Sequence, residues 1–372
     1  HLPERRYQRR EWLPTARAVY DACIDMGFPE DPDQNHPDST GIAARPLNNI
    51  DGVRMSTSLT YLNLARHRLN LTIKGNVTVH RVLVQGKRAV GVEAASGDQR
   101  FTVEADQVIL CGGAVASPQI LMLSGVGPAG HLGSLGIDLV HELPGVGQNL
   151  RDHPAAFLLF KGIGEAPSDD AASIQVGLRF STQGSSTRAD FQLTPILMNS
   201  EHRPSSVVIE SDDFHFGLSV GLQNATSAGE LTLTSTDPLV QPNLNYDFLT
   251  DPYDRQRMRE ALRMAVKISQ HEQFQNLIEA RLNPTDQDLA TDDALDDWML
   301  RNVYTQHHIS GTCKMGPAGD PMAVVDQFGH VHGMENLRVV DASIMPDVIR
   351  ANTNATTIMI AEKVADWIKQ GR

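Results

Sequence analysis

Short stretches rich in β-branched residues succeed one another at 71–73, 77–84, 89–94, 101–103 and 107–111, punctuated by Gly86, Gly91 and Gly97. That texture predicts strands joined by tight turns. Upstream, residues 11–26 carry Leu13, Ala16, Val19, Ala22 and Cys23 on one side at helical spacing, and a Pro- and Asp-rich loop at 29–38 ends the helix. A second helix is expected over 56–65. The run VILCGG at 108–113 reads as a buried strand entering glycines, with a helix over 117–123 behind it. From 151 to 299 the pattern changes to short alternating segments at 190–197, 214–222 and 230–234, which predict an antiparallel sheet. Helices are expected over 251–270 and 286–301, and mobile loops over 162–173 and 181–187. Near the end of the chain, 337–340 reads as a buried strand stopping at Asp341-Ala342-Ser343. The apolar run 358–361 then leads into an amphipathic helix carrying Glu362, Lys363 and Asp366.

At 372 residues the chain exceeds the usual size of one domain, so two domains or one interwoven pair are expected. The formal net charge of −13 argues against sequence-independent nucleic-acid binding, which needs clustered cations. The one basic cluster, Arg5, Arg6, Arg9 and Arg10, is interleaved with Glu4 and Glu11 and reads as a solvated helical face. Three cysteines at 23, 111 and 313 make neither a disulfide framework nor a metal pattern, which suggests a reducing compartment. No apolar run approaches the roughly 20 residues of a membrane span. A cytoplasmic protein is the expectation. His330 and His332 lack a convincing third ligand, so no metal is expected and an exposed hairpin is the plainer reading.

Chemistry concentrates between 304 and 361, where YTQHHISGTCKMG, VVDQFGHVHGMENLRVVDASIMP and NTNATTIMIA offer a histidine, an aspartate and an asparagine in three blocks. Strand ends such as 340–341 are where α/β sheets bind ligands. On an extended segment His307 and His308 point to opposite faces, so only one of them aims at a site. The glycines at 112–113 suit a chain reversing beside a flavin or pyrophosphate, and equally an ordinary strand-to-helix junction.

These three blocks resemble the C-terminal half of the glucose-methanol-choline (GMC) family of FAD-dependent alcohol oxidoreductases, most closely its choline-dehydrogenase-like branch. GAVASPQILMLSGVG at 113–127 independently resembles the family's second signature, and PGVGQNLRDH at 144–153 another family block. The resemblance implies an α/β fold of mixed α+β type, a partial FAD-binding Rossmann-like domain interwoven with an antiparallel-sheet substrate domain. It implies a remainder of the FAD-binding domain over 1–150, a substrate-binding domain over 151–300, and a return to the FAD-binding domain over 301–372.

The resemblance also implies the activity: oxidation of an alcohol to the carbonyl, with hydride passing to the flavin N5 of FAD. It makes His308 the general base and puts Asn352 at the second catalytic position, with Asn354 the nearby alternative. A hydroxyl is a weak acid, so a base must take its proton as hydride leaves, and an imidazole near neutrality suits that task. A neutral amide donates to the alkoxide-like oxygen without competing for the proton. Cofactor contacts are implied for Gly112, the backbone of Asp341 and Ala342, Asn354, Ala355 and Thr356, and the backbone of Val79 beside adenine; Asn354 is read as a helix cap or flavin contact.

Nothing before residue 40 resembles the family's glycine-rich βαβ unit. GVGPAG at 125–130 satisfies GxGxxG but follows a helix and contains a proline, so it is read as a coincidence. A preceding FAD-binding segment or a separate chain is therefore expected as partner, besides an alcohol substrate and an electron acceptor, oxygen or quinone-like. The alternatives are a flavin-dependent lyase or decarboxylase of the same fold, and a non-catalytic subunit or fragment that needs a separate FAD-binding polypeptide.

Overall fold

The computed structural model describes residues 2–168, 171–198 and 213–372, so part of the expected loop at 162–173 lies outside the described residues. The chain forms two compact units. One comprises His1–Ile73, Pro154–Asn224 and Asp251–Tyr304, the other Lys74–His153, Ala225–Thr250 and Thr305–Arg372.

The first unit is organised by an antiparallel sheet in the order Gly41–Ala44, Val176–Phe180, Phe191–Leu197, His215–Leu222, Pro154–Gly162, Ile278–Asn283. Residues 41–44 join it by pairing along Val176–Phe180, which draws the first 73 residues to this sheet. Every residue of the central strand His215–Leu222 is buried, so both of its faces are covered. One cover is the helix Pro252–Ser269, which turns Met258, Ala261, Leu262, Ala265 and Ile268 inward at helical spacing. Its start is set by Asp251, whose carboxylate accepts from the Tyr253 amide at 2.8 Å, and by Pro252 in the first turn.

Within that helix Arg257 is buried between two carboxylates. Its guanidinium donates to Asp254 at 2.6 Å, to Asp190 at 3.2 Å and to the Asn224 carbonyl at 2.9 Å. The helix expected over 286–301 is two helices, Asp286–Leu289 and Asp292–Asn302. Thr285 and Thr291 each cap a start with the side-chain oxygen, the second accepting from the Ala294 amide at 3.1 Å, so the chain restarts where the sequence repeats Thr-Asp. The helix expected over 56–65 is a π turn, Ser58–Leu62, running into a short α segment, Asn63–Ala65. Residues 71–73 are exposed and form no strand.

The second unit holds the meander Thr78–Gln85, Arg88–Ser96, Gln99–Glu104 and a parallel pair, Val108–Leu110 with Leu337–Val339. Its core gathers Val108, Leu110, Leu121, Met122, Val146, Leu231, Val339, Ile344, Ile360 and Val364. Gly229–Thr232 pairs here with Gln148–Leu150 and Asn243–Asn245, so residues 225–250, expected with 151–300, lie in this unit, while 1–73, expected with 1–150, lie in the first; the changes of unit after 153 and 304 fall close to those expected at 150 and 300.

The helix after the parallel strand is Gly113–Leu123, starting four residues earlier than expected and holding Pro118 inside it. A proline inside a helix removes the amide that would bond the carbonyl four residues back. That carbonyl belongs to Ala114, and the Thr312 hydroxyl donates to it at 2.6 Å. The polar group orphaned by Pro118 is thus satisfied by the segment that carries His308.

Candidate active site

The parallel pair brings residues 110 and 339 side by side, so the glycines at 112–113 and Asp341 leave the sheet at the same end. Asp341 is buried and its carboxylate is committed inward. One oxygen accepts from the Gly113 amide at 2.9 Å and the Ser117 hydroxyl at 2.6 Å, the other from the Ser343 amide at 2.8 Å. The Ser117 oxygen in turn accepts from the Gly112 amide at 3.0 Å. The aspartate therefore braces the strand-to-helix turn with its side chain. Gly112 is needed for close packing: a Cβ there would lie 3.0 Å from Ala116 Cβ and 3.2 Å from the Ser117 amide nitrogen. Gly113 has φ +79°, in the left-handed region.

The segment after His308 is tied to this strand end. Gly311 N–H donates to the Ala342 carbonyl at 3.2 Å and Cys313 N–H to the Ser343 carbonyl at 2.8 Å. On its other side, Arg151 and Ser310 form an antiparallel bridge through reciprocal amide bonds of 2.9 and 2.8 Å. In an antiparallel pair, two residues back on one strand face two residues on along the other. His153 consequently faces His308, and their Nδ1 atoms are 2.8 Å apart, the rings edge to face.

The ladder is interrupted at that point by Asp152. One of its oxygens accepts from the amides of both His153 (2.7 Å) and His308 (2.9 Å), and the other from the Thr305 hydroxyl. Burial pushes the Asp152 carboxyl above its usual range, against the Thr305 hydroxyl and the two amides, which pull it down. His307 adopts φ +62°, so the His-His pair is kinked rather than extended. His307 is exposed and His308 half-buried.

His308 meets Asn352 on its far side, with Asn352 Nδ2 3.0 Å from His308 Nε2. Asn352 is the N-cap of the C-terminal helix Thr353–Lys369, yet its side chain makes no cap bond. A capping asparagine contributes about 1 kcal/mol to a helix, and here the amide faces an imidazole instead. Asn354, read from sequence as a cap or flavin contact, lies inside the first turn and is exposed, as is Ala355, while Thr356 is half-buried. The cap position belongs to Asn352 because the helix starts at Thr353.

His308 and Asn352 are therefore in contact, Gly112, Asp341 and Ala342 meet at the strand end, and Asn354, Ala355 and Thr356 open the helix that Asn352 caps. Val79 is half-buried on Thr78–Gln85, opposite Ala94. The residues missed in sequence are His153 and Asp152, both within a block noted for its resemblance. Gly125 ends the helix Gly113–Leu123 through an amide bond to the Met122 carbonyl at 2.9 Å. His330 bonds Asp326 and His332 the Gly316 carbonyl, each at 3.0 Å, and among the described residues no cluster suited to a metal ion is found.

Family profiles described as GMC oxidoreductase match residues 6–155 and 225–361. The oxygen-dependent choline dehydrogenase of Stenotrophomonas maltophilia is 36% identical over 95% of this chain and 67% of its own length. The chain belongs to the GMC oxidoreductase family. That of Escherichia coli is 35% identical over 96% of the chain and 68% of the relative, so this chain spans about two thirds of the curated relatives it matches. Among solved structures, the pyridoxine 4-oxidase of Mesorbium loti superposes with a TM-score of 0.90 at 28% identity, over 99% of this chain and 72% of that one. A fungal aryl-alcohol oxidase, TM-score 0.81 at 21% identity over 96% of this chain and 71% of that one, shares the fold.

GMC membership makes the protein an FAD-dependent oxidoreductase of the CH–OH group, with the mixed α/β fold of that family. The second unit fits part of that cofactor. Two parallel strands end together at a glycine turn, Gly112 is exposed there, and the exposed first turn of the C-terminal helix carries the asparagine that touches His308. Among the described residues, no helix is long and apolar enough to cross a membrane.

Proposed function

We propose that His308 and Asn352 together activate the hydroxyl of a small alcohol, in the manner of the choline-like substrates named for its relatives. The observation that carries this reading is the 3.0 Å contact between His308 Nε2 and Asn352 Nδ2, which brings a proton acceptor and a neutral donor to one point. A hydroxyl seated there donates to Nε2 and accepts from Nδ2. As the O–H bond breaks, the proton passes to Nε2 and the amide steadies the negative charge growing on oxygen. FAD, when bound, supplies the acceptor for the hydride from the carbinol carbon. Gly112, the backbone of Asp341 and Ala342, and Asn354, Ala355 and Thr356 would hold the flavin side of that cofactor, and Val79 the adenine side. Oxygen or a quinone-like compound takes the electrons onward.

A partner polypeptide segment belongs to this reading. Parallel sheets are stable when several strands are covered on both faces. The pair Val108–Leu110 and Leu337–Val339 leaves Ile109 41% exposed, and the C-terminal helix buries only Ile360 and Val364 while Met359 is 55% exposed. We propose that a glycine-rich βαβ unit, on the same polypeptide or another, covers this face and cradles the pyrophosphate.

The test is anaerobic mixing of FAD-loaded protein, with that unit present, with choline and then with simple aliphatic and aromatic alcohols. Bleaching of the oxidised flavin by at least one is expected. No bleaching by any would contradict alcohol oxidation, and stoichiometric FAD retained by this chain alone would contradict the need for the unit.

A further inference from the structure

We infer that His153 is a positioning residue that decides which nitrogen of His308 is free to take a proton, an inference that rests on the reading of His308 as the base. His153 is 0% exposed and both of its ring nitrogens are engaged. Its Nε2 lies 2.8 Å from the carbonyl oxygen of Ile349, which can only accept, so Nε2 carries the hydrogen. A neutral imidazole has one N–H, which leaves His153 Nδ1 bare. That bare nitrogen is 2.8 Å from His308 Nδ1, which must therefore be the donor. His308 then has its hydrogen on Nδ1 and a lone pair on Nε2, where the Asn352 amide already donates at 3.0 Å.

A single backbone carbonyl thus sets the proton positions on two rings in sequence. The order is held by geometry: Asp152 takes the amides of both histidines on one oxygen, and the Arg151–Ser310 bridge fixes their register. When Nε2 gains a proton, His308 gives up the Asn352 amide as donor there but keeps its Nδ1–H bond to His153, so the charged ring forms without reorienting. Hydrogen bonds made by a charged donor are stronger than neutral ones, so this contact favours the charged ring. A doubly protonated His153 would reverse the order and place a hydrogen on His308 Nε2, where it would block the base.

The experiment is two-bond ¹⁵N–¹H spectroscopy of the FAD-loaded enzyme with ¹⁵N-labelled histidine, at a pH where both rings are neutral. His308 should show Nδ1–H with a bare Nε2, and His153 the opposite. Replacing the ring by one with no acceptor, His153→Phe, should convert His308 largely to the Nε2–H form and lower kcat about 10²-fold, with KM within about threefold. His153→Asn places an amide oxygen where Nδ1 was, and should keep the wild-type tautomer and restore kcat to within about fivefold. An Nε2–H signal from His308 in the wild type would overturn the inference, as would a His153→Asn enzyme no better than His153→Phe or a His153→Phe enzyme with unchanged kcat. If the tautomers are as stated but His308→Ala retains activity, the base assignment falls and the proton order stands.

Discussion

His308→Ala should slow reduction of the bound flavin by alcohol about 10²- to 10⁴-fold, the range that a positioned base contributes. That loss corresponds to about 3–5 kcal/mol of transition-state stabilisation. Bound flavin should remain, because His308 bonds Asp152 through its backbone amide and the strand end is braced separately by Asp341. Stopped-flow reduction under anaerobic conditions measures the first quantity and flavin content per chain the second. Reduction within a few-fold of the parent would remove His308 from the base role.

The largest stability effect is expected at Arg257, far from this chemistry. Arg257 is 2% exposed and its partners Asp190 and Asp254 are 0% exposed, so the guanidinium is what allows two carboxylates to be buried there. Removing one partner of a buried ion pair costs about 3–5 kcal/mol, because the charge left behind has no water to return to. Arg257→Met keeps the stem and deletes only the charge. It should lower the unfolding free energy by about that amount in urea, with aggregation or loss of expression as the extreme form. Replacing all three residues by apolar ones of similar volume should recover much of the loss, because no buried charge would remain. A single variant as stable as the parent would show that the cluster is hydrated.

Much of the catalytic unit was legible because its signals are local. The parallel pair was readable as two apolar runs, each stopping at small residues, and His308 and Asn352 sat in blocks with a family pattern. What escaped was set by contacts between distant segments. His153 meets His308 across 155 residues through the Arg151–Ser310 bridge, and nothing in NLRDHP distinguishes that histidine from a structural one. The helix start at Gly113 escaped because it puts Pro118 inside the helix, a cost met there by Thr312, almost two hundred residues on. The first 73 residues join the antiparallel sheet through four residues at 41–44, a pairing that depends on a strand at 176–180 and leaves no trace in composition. The broken helix at 286–302 was readable in principle, since both threonines precede acidic residues, the usual sign of a helix start.

The central claim is that one alcohol oxygen sits between an imidazole and an amide. A crystal structure of the FAD-loaded enzyme with an alcohol or its unreactive analogue tests it most directly. The account predicts that oxygen within hydrogen-bonding distance, about 2.6–3.2 Å, of both His308 Nε2 and Asn352 Nδ2. An alcohol oxygen bound elsewhere, with the His308–Asn352 contact left intact, would contradict it.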